Sequence, residues 1–242
     1  MAVELENHSL RNDANLVAYY RLEDLVATVG TNLTNQNVAT FVAAQFNNGG
    51  NFVRASLQAL KNTVNAVSNG NATLMGWIKV TVEPDADFVR YGFIACLDGT
   101  NFVTYSIDYQ FNGGTPRLRF LRTKNGVADQ AALYTITLGT TDFYHLAITY
   151  DGTNIRGYVN GVLQAGPTAA SGNGSSSTVD GIIIGAANGG GAGPNTTAES
   201  SSVIDDVGIF TRALSGTEIS DFYNATGAVV SNIGTLLLMS VG

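Results

Sequence analysis

The sequence predicts an all-β fold: an antiparallel two-sheet sandwich carrying one short C-terminal helix. Three observations carry that prediction. Apolar residues recur with a period of two along most of the chain. Turn dipeptides interrupt them at short intervals, the pattern of strands joined by hairpins. No strand-like run alternates with a long helical one, so a parallel sheet with crossover helices is excluded. The chain has 242 residues, 45% of them hydrophobic and 13% charged, enough to bury a core without disulfides. Many strands with almost no helix require two packed sheets or a closed barrel.

The elements follow in chain order. Strands are predicted at 16–21, 40–46 and 74–80. In the last of these Leu74, Gly76, Ile78 and Val80 share one face, and Met75, Trp77 and Lys79 share the other. Residues 93–97 and 102–109 flank the turn Asp98-Gly99-Thr100-Asn101, and strands at 117–122 and 133–138 follow. Residues 144–150 and 154–159 form a second hairpin around Asp151-Gly152-Thr153. Asn160-Gly161 then turns the chain back through 162–164, because both central residues of such a turn need positive φ. Strands at 181–185 and 203–210 complete the set. Ser215-Gly216-Thr217-Glu218 is a capping box; the helix it starts puts Ile219, Phe222 and Tyr223 on one face, and Gly227 stops it. Segments 168–178 and 185–202, rich in Gly, Ser, Asn and Ala, read as loops and lack the Lys-Ser/Thr ending of a phosphate-binding loop.

Charge narrows the partners. The net charge is −7, with 12 basic residues scattered among 19 acidic ones, which excludes a nucleic-acid surface and an anionic membrane surface. Neutral, calcium-bridged or protein partners remain. Cys96 is the sole cysteine, which rules out an intrachain disulfide or a cysteine metal cluster; its apolar strand makes it a buried, inert thiol. The first residues carry neither a basic start nor an apolar run, so no secretory signal is expected, and the triplets at Asn71 and Asn195 read as products of an Asn- and Thr-rich surface.

Four stretches resemble the laminin-G-like branch of the concanavalin A-like lectin/glucanase superfamily. Leu16-Val17-Ala18-Tyr19-Tyr20-Arg21-Leu22-Glu23-Asp24 resembles its opening strand, and Thr73-Leu74-Met75-Gly76-Trp77-Ile78-Lys79-Val80 its tryptophan strand. Phe143-Tyr144-His145-Leu146-Ala147-Ile148-Thr149-Tyr150-Asp151-Gly152, followed by Tyr158-Val159-Asn160-Gly161-Val162, resembles its double hairpin. Ile204-Asp205-Asp206-Val207-Gly208-Ile209-Phe210-Thr211-Arg212-Ala213-Leu214-Ser215 resembles its closing strand and helix entry. The resemblance spans 16–227 and implies a jelly-roll sandwich there, with an N-terminal arm at 1–15 and an apolar tail or extra strand at 228–242. A fold of this kind hosts lectins, glycosidases, adhesion modules and viral surface proteins, so function rests on the site.

Hydrolases of that fold carry their two carboxylates as E-x-D-x-x-E, a pattern that Glu4, Glu6, Glu23, Glu83, Glu199 and Glu218 do not make. The chain is therefore expected to be non-catalytic. His8 and His145 lack zinc or nucleophile spacing, and His145, where the family has His, is expected to be a packed, hydrogen-bonded strand residue. The resemblance implies Ca2+ at a rim of the sandwich, with Asp24, Asp205 and Asp206 as candidate ligands; the other use of Asp205 or Asp206 is to tie strand to loop. Loop composition makes Tyr109, Phe111, Asn112, Asn188 and Asn195 the candidate glycan contacts. The tail holds Leu236, Leu237 and Leu238; too short to span a bilayer, it must pack on its own sandwich or enter a neighbouring subunit.

The function expected first is a structural and recognition module on an assembled surface, such as a phage or virus decoration, fibre or tail protein, homo-oligomeric and placed on a virion or extracellular surface. The alternatives are a secreted or cell-surface calcium-dependent lectin and, third, a glycoside hydrolase.

Overall fold

The computed structural model describes residues 4–63, 70–84, 89–98, 103–124, 127–170, 179–187 and 198–225. Fifteen strands are present among them: β1 Leu16–Tyr20, β2 Thr34–Gln36, β3 Thr40–Ala43, β4 Asn48–Phe52, β5 Ala59–Lys61, β6 Ala72–Val80, β7 Arg90–Asp98, β8 Val103–Asn112, β9 Thr115–Lys124, β10 Val127–Thr135, β11 Tyr144–Tyr150, β12 Asn154–Val159, β13 Val162–Ala169, β14 Val179–Ile184 and β15 Ser202–Phe210. One helix, α1 Gly216–Asn224, follows. Among the described residues no helix is long and apolar enough to cross a membrane.

The strands form two antiparallel sheets. One has the order β13-β12-β11-β6-β15-β4-β3 with β1 also paired to β15; the other runs β10-β9-β8-β7-β14-β5-β2. β15 organises the first sheet. Along its whole length it pairs with β6, and its other edge is shared, β4 taking Ser202 to Ile204 and β1 taking Val207 to Phe210. The register shifts between Asp205 and Gly208, and Asp206 sits there with a left-handed φ of 53°. That bulge is where β15 passes from one edge partner to the next.

Period-two alternation turns Leu74, Ile78, Leu146, Ile148, Tyr105, Ile107 and Phe120 into the gap between the sheets. Gly157 on β12 faces Phe120 on β9 so closely that an added Cβ would stand 2.0 Å from the ring. A second apolar cluster lies on the outer face of the eight-stranded sheet, where Met75, Ala147 and Tyr158 meet Ile219 and Phe222 of α1. Leu5 and Leu10 belong to it, so residues expected to form a polar arm pack on the sandwich through two single turns of 3-10 helix. The capping box forms as read: the Glu218 amide donates to Ser215 Oγ at 3.2 Å and the Ser215 amide to Glu218 Oε2 at 2.8 Å.

Three strands are absent from the sequence reading, and three have other bounds: β3 ends at Ala43 and not at 46, β10 runs Val127–Thr135 where 133–138 was expected, and β13 continues to Ala169. β4 contains Gly49-Gly50, a breaker signal; the glycines are needed because a Cβ on Gly49 would meet the Ile204 carbonyl at 2.7 Å. β2 and β5 are three residues each, too short to show a period. Residues 228–242 lie outside the described residues.

Candidate functional site

Four segments converge at one end of the sandwich. Ser202 pairs with both Phe52 and Val80, so the chain beyond β4 and beyond β6 leaves the sheet at one level, beside the residue that precedes β15. After β4 a single turn, Arg54–Ser56, carries Arg54 and is closed by Leu57 in the left-handed region. Val82 and Glu83 follow β6, Tyr91 lies near the start of β7, and Ser201 precedes β15. With Arg54 and Leu57 these residues line an open cleft of about 390 Å³.

Hydrogen bonds hold the frame. The Thr81 amide donates to the Ser201 carbonyl at 2.9 Å, and the Arg54 amide to Ser201 Oγ at 3.4 Å. Gln58 clamps the turn, accepting from the Val53 amide at 2.8 Å and donating to the Val38 carbonyl at 3.0 Å. The Arg54 guanidinium lies over the Tyr91 ring, 5.8 Å from its centroid, and its buried Nε has no hydrogen-bond partner. Glu83 Oε2 accepts from the Tyr109 hydroxyl at 3.0 Å, while Oε1 is buried without a partner. Burial raises the Glu83 pKa, opposed by the Tyr109 hydrogen bond. Nearby, Glu199 is buried; burial raises its pKa, and backbone hydrogen bonds at Glu199 and Ala198 and the Arg54 charge act in the other direction.

The residues singled out for calcium are not brought together. Asp24 is exposed and accepts from the Val26 amide in its own turn at 2.7 Å. Asp205 accepts from the Phe46 amide at 2.7 Å; Asp206 accepts from the Tyr19 hydroxyl at 2.7 Å and the Leu5 amide at 2.9 Å. Burial pushes these two carboxyls up, to about 8 and about 7. Among the described residues no three His, Cys, Asp or Glu side chains converge as a metal site. Asp24, Asp205 and Asp206 do not fit Ca2+; the buried pair ties β15 to neighbouring loops.

The glycan candidates divide. Tyr109 is fully buried and faces the core, so it is not an aromatic platform; its contribution is the hydroxyl that orients Glu83. Phe111 and Asn112 are half-buried at the β8–β9 hairpin, whose tip residues Gly113 and Gly114 both have positive φ and open space around them. Asn188, Asn195, Leu236, Leu237 and Leu238 lie outside the described residues. Cys96 is buried as expected, its thiol pushed up to about 12 by burial. His145 is also buried, against Trp77, Phe222 and Tyr223, yet neither ring nitrogen has a hydrogen-bond partner, contrary to expectation. Burial lowers its pKa to about 3.

Sequence reasoning missed Arg54, Glu83, Tyr91 and Ser201 as a group. The one available signal was a charged residue just beyond a strand end, as Glu83 stands after β6.

A family model described as the concanavalin A-like lectin/glucanases superfamily matches residues 47–220. No curated protein matches the chain. Among solved structures, the receptor-binding domain of botulinum neurotoxin mosaic serotype C/D is similar at 16% identity and a TM-score of 0.61, covering 86% of this chain and 50% of that one. The binding domain of botulinum neurotoxin DC in complex with SialylT gives 15% and 0.63, covering 88% and 52%. Trypanosoma rangeli sialidase in complex with sialic acid gives 17% and 0.61, covering 87% and 33%. The chain thus spans about half of the toxin domains and a third of the sialidase, and the likeness is one of fold. With the match extending from β4 into α1, the chain belongs to the concanavalin A-like lectin/glucanases superfamily.

Proposed function

We propose that this protein is a non-catalytic carbohydrate-recognition module whose sugar site is the cleft between Arg54 and Glu83. The observation that carries the reading is the open cleft of about 390 Å³ that brings the polar side chains of Arg54, Glu83 and Ser201 together with apolar Leu57 and Val82. A few polar groups set in apolar surface are the lining of a small-molecule site, and a sugar offers hydroxyls to the first and C–H faces to the second. Leu57 and exposed Val82 offer apolar surface for the C–H face of a ring. The proteins of like fold support it: the names of two mention SialylT and sialic acid, although at identities that carry no residue roles. The absence of an E-x-D-x-x-E run supports binding without turnover.

A glycan array probed with the wild-type chain and with Glu83→Ala tests the reading. Binding that weakens in the variant supports it; an array without any hit sinks it. Turnover of a bound glycan would establish the hydrolase alternative. A chelator arm tests the calcium-dependent alternative, whose ligands would have to come from outside Asp24, Asp205 and Asp206.

The wider setting we propose is an assembled surface such as a virion, on the strength of the apolar residues at 228–242. Light scattering on the full chain and on a version ending at Gly227 tests it: an oligomer that falls to a monomer supports assembly through the tail, and two monomers of equal stability refute it.

A further inference from the structure

We infer that the outer face of the seven-stranded sheet carries a site of its own, one that takes an acidic oligosaccharide, carboxylated or sulfated, between Arg90 and Arg117. The inference does not depend on the cleft. Basic residues that look scattered along the chain are gathered by strand register: Arg90 on β7, Gln110 on β8 and Arg117 on β9 stand in one row across the sheet. Their neighbours Tyr91, Tyr109 and Leu118 face the core, so by alternation the three side chains share the opposite face. Arg119, two residues along β9, lies on that face too. With neighbouring strands about 4.8 Å apart, Arg90 and Arg117 stand about 10 Å from each other. Gln110 Oε1 ties the group together, accepting from Arg117 at 3.3 Å and from Arg119 at 3.4 Å.

Charge decides what such a row is for. Arg119 is offset by buried Asp108, whose Oδ1 lies 3.5 Å from its Nε. Arg90 and Arg117 lie against no carboxylate among the described residues. Like charges held on one face of a sheet repel, and a carboxylate between them would remove that cost. The chain has 19 acidic residues, yet neutral Gln110 fills the position between the two arginines. An oxyanion from outside supplies the missing charge, and guanidinium forks match its oxygens. Both arginines are half-buried, which holds their stems on the sheet and leaves part of each in solvent. Leu133 on β10 stands opposite Arg119 on the same face and is 48% exposed. Its apolar surface suits the C–H face of a sugar ring, which a bare anion does not need. A short acidic oligosaccharide fits better than a long polyanion, since the whole chain carries a charge of −7.

The test titrates the full chain calorimetrically with four probes: a uronic-acid tetrasaccharide, a sulfated tetrasaccharide, a neutral tetrasaccharide and inorganic sulfate. At least one acidic tetrasaccharide is expected to bind, and which of the two binds tells a carboxylate from a sulfate source. Arg90→Gln and Arg117→Gln are each expected to weaken it at least about tenfold, the worth of a hydrogen bond to a charged group. Leu133→Glu, at an exposed position, adds a carboxylate to the face and is expected to weaken it as well. Without ligand, both arginine variants should keep or gain thermal stability, because a repulsion is removed. A melting temperature lowered in both would assign the arginines to bracing the sheet and overturn the inference. So would a neutral tetrasaccharide that binds as tightly, acid binding untouched by all three substitutions, or binding of neither acid. Inorganic sulfate bound as tightly as the tetrasaccharide would overturn the sugar assignment. Should the arginine variants fail to fold, Leu133→Glu and the acid–neutral comparison on the wild-type chain decide.

Discussion

Replacing His145 with leucine isolates the consequence of burying an imidazole with no partner. The ring is fully buried and touches Trp77, Phe222 and Tyr223. Its folded pKa is lowered to about 3, from an ordinary value of 6.5. Between those values the unfolded chain holds a proton that the folded chain rejects, so stability is lost as pH falls below 6.5. The linkage is negligible above about pH 7.5, costs about 2 kcal/mol near pH 5 and about 3 kcal/mol near pH 4. Asp205 and Asp206 act with the opposite sign. Raised to about 8 and about 7, they favour the folded state at low pH, and that contribution is lost as pH rises through those values. Both proteins share this term, so it cancels in their difference. Leucine also forgoes no hydrogen bond, so at neutral pH it is expected to change stability by less than about 1.5 kcal/mol in either direction. The assay is urea unfolding followed by Trp77 fluorescence, the chain having one tryptophan, whose ring is centred 5.3 Å from the His145 ring. The variant should gain about 2 kcal/mol on wild type between about pH 7.5 and pH 5. Parallel pH profiles, or an NMR titration of His145 near its ordinary pKa, would refute the reasoning.

Two other outcomes follow from the packing. Gly157→Ala places a methyl group 2.0 Å from the Phe120 ring and should cost about 1–3 kcal/mol in chemical denaturation, partly recovered when Phe120→Leu is added; an equal cost in both backgrounds would mean the contact is not the cause. Asp206→Ala strips the acceptor from the Tyr19 hydroxyl and the Leu5 amide, which should cost about 2 kcal/mol and speed proteolysis within residues 4–15; undiminished protection of that segment would count against the tie.

Local signals made most of the fold legible. Asn160 and Gly161 both have the positive φ that their turn demands, and Ser215 and Glu218 exchange the bonds their spacing implies. β4 was hidden because Gly49 and Gly50 serve a close approach to β15, a fact of pairing and not of local propensity. The cleft was hidden for a related reason. Arg54, Glu83, Tyr91 and Ser201 stand on four segments that only the register of β15 with β4 and β6, and the packing of the second sheet, bring together. Tyr109 shows a weighting error: it alternates with Tyr105 and Ile107, which pointed it inward, but the glycine-rich turn beyond it suggested an exposed loop. The Asp205-Asp206 pair was visible; the bulge that gives it two separate tying roles was not.

The position of β15 also bears on how the chain reaches this state as it is made. β1 has no partner other than β15 among the described strands, and β6 and β4 are joined only through it. A ribosome delivers all three long before residues 202–210, so half of the inner apolar face waits with unpaired edges until the last strand emerges. Closure then requires contacts distant in sequence, which slows folding and lengthens exposure to other nascent chains. A polypeptide interrupted before Ser202 lacks the strand that joins the two halves of its larger sheet.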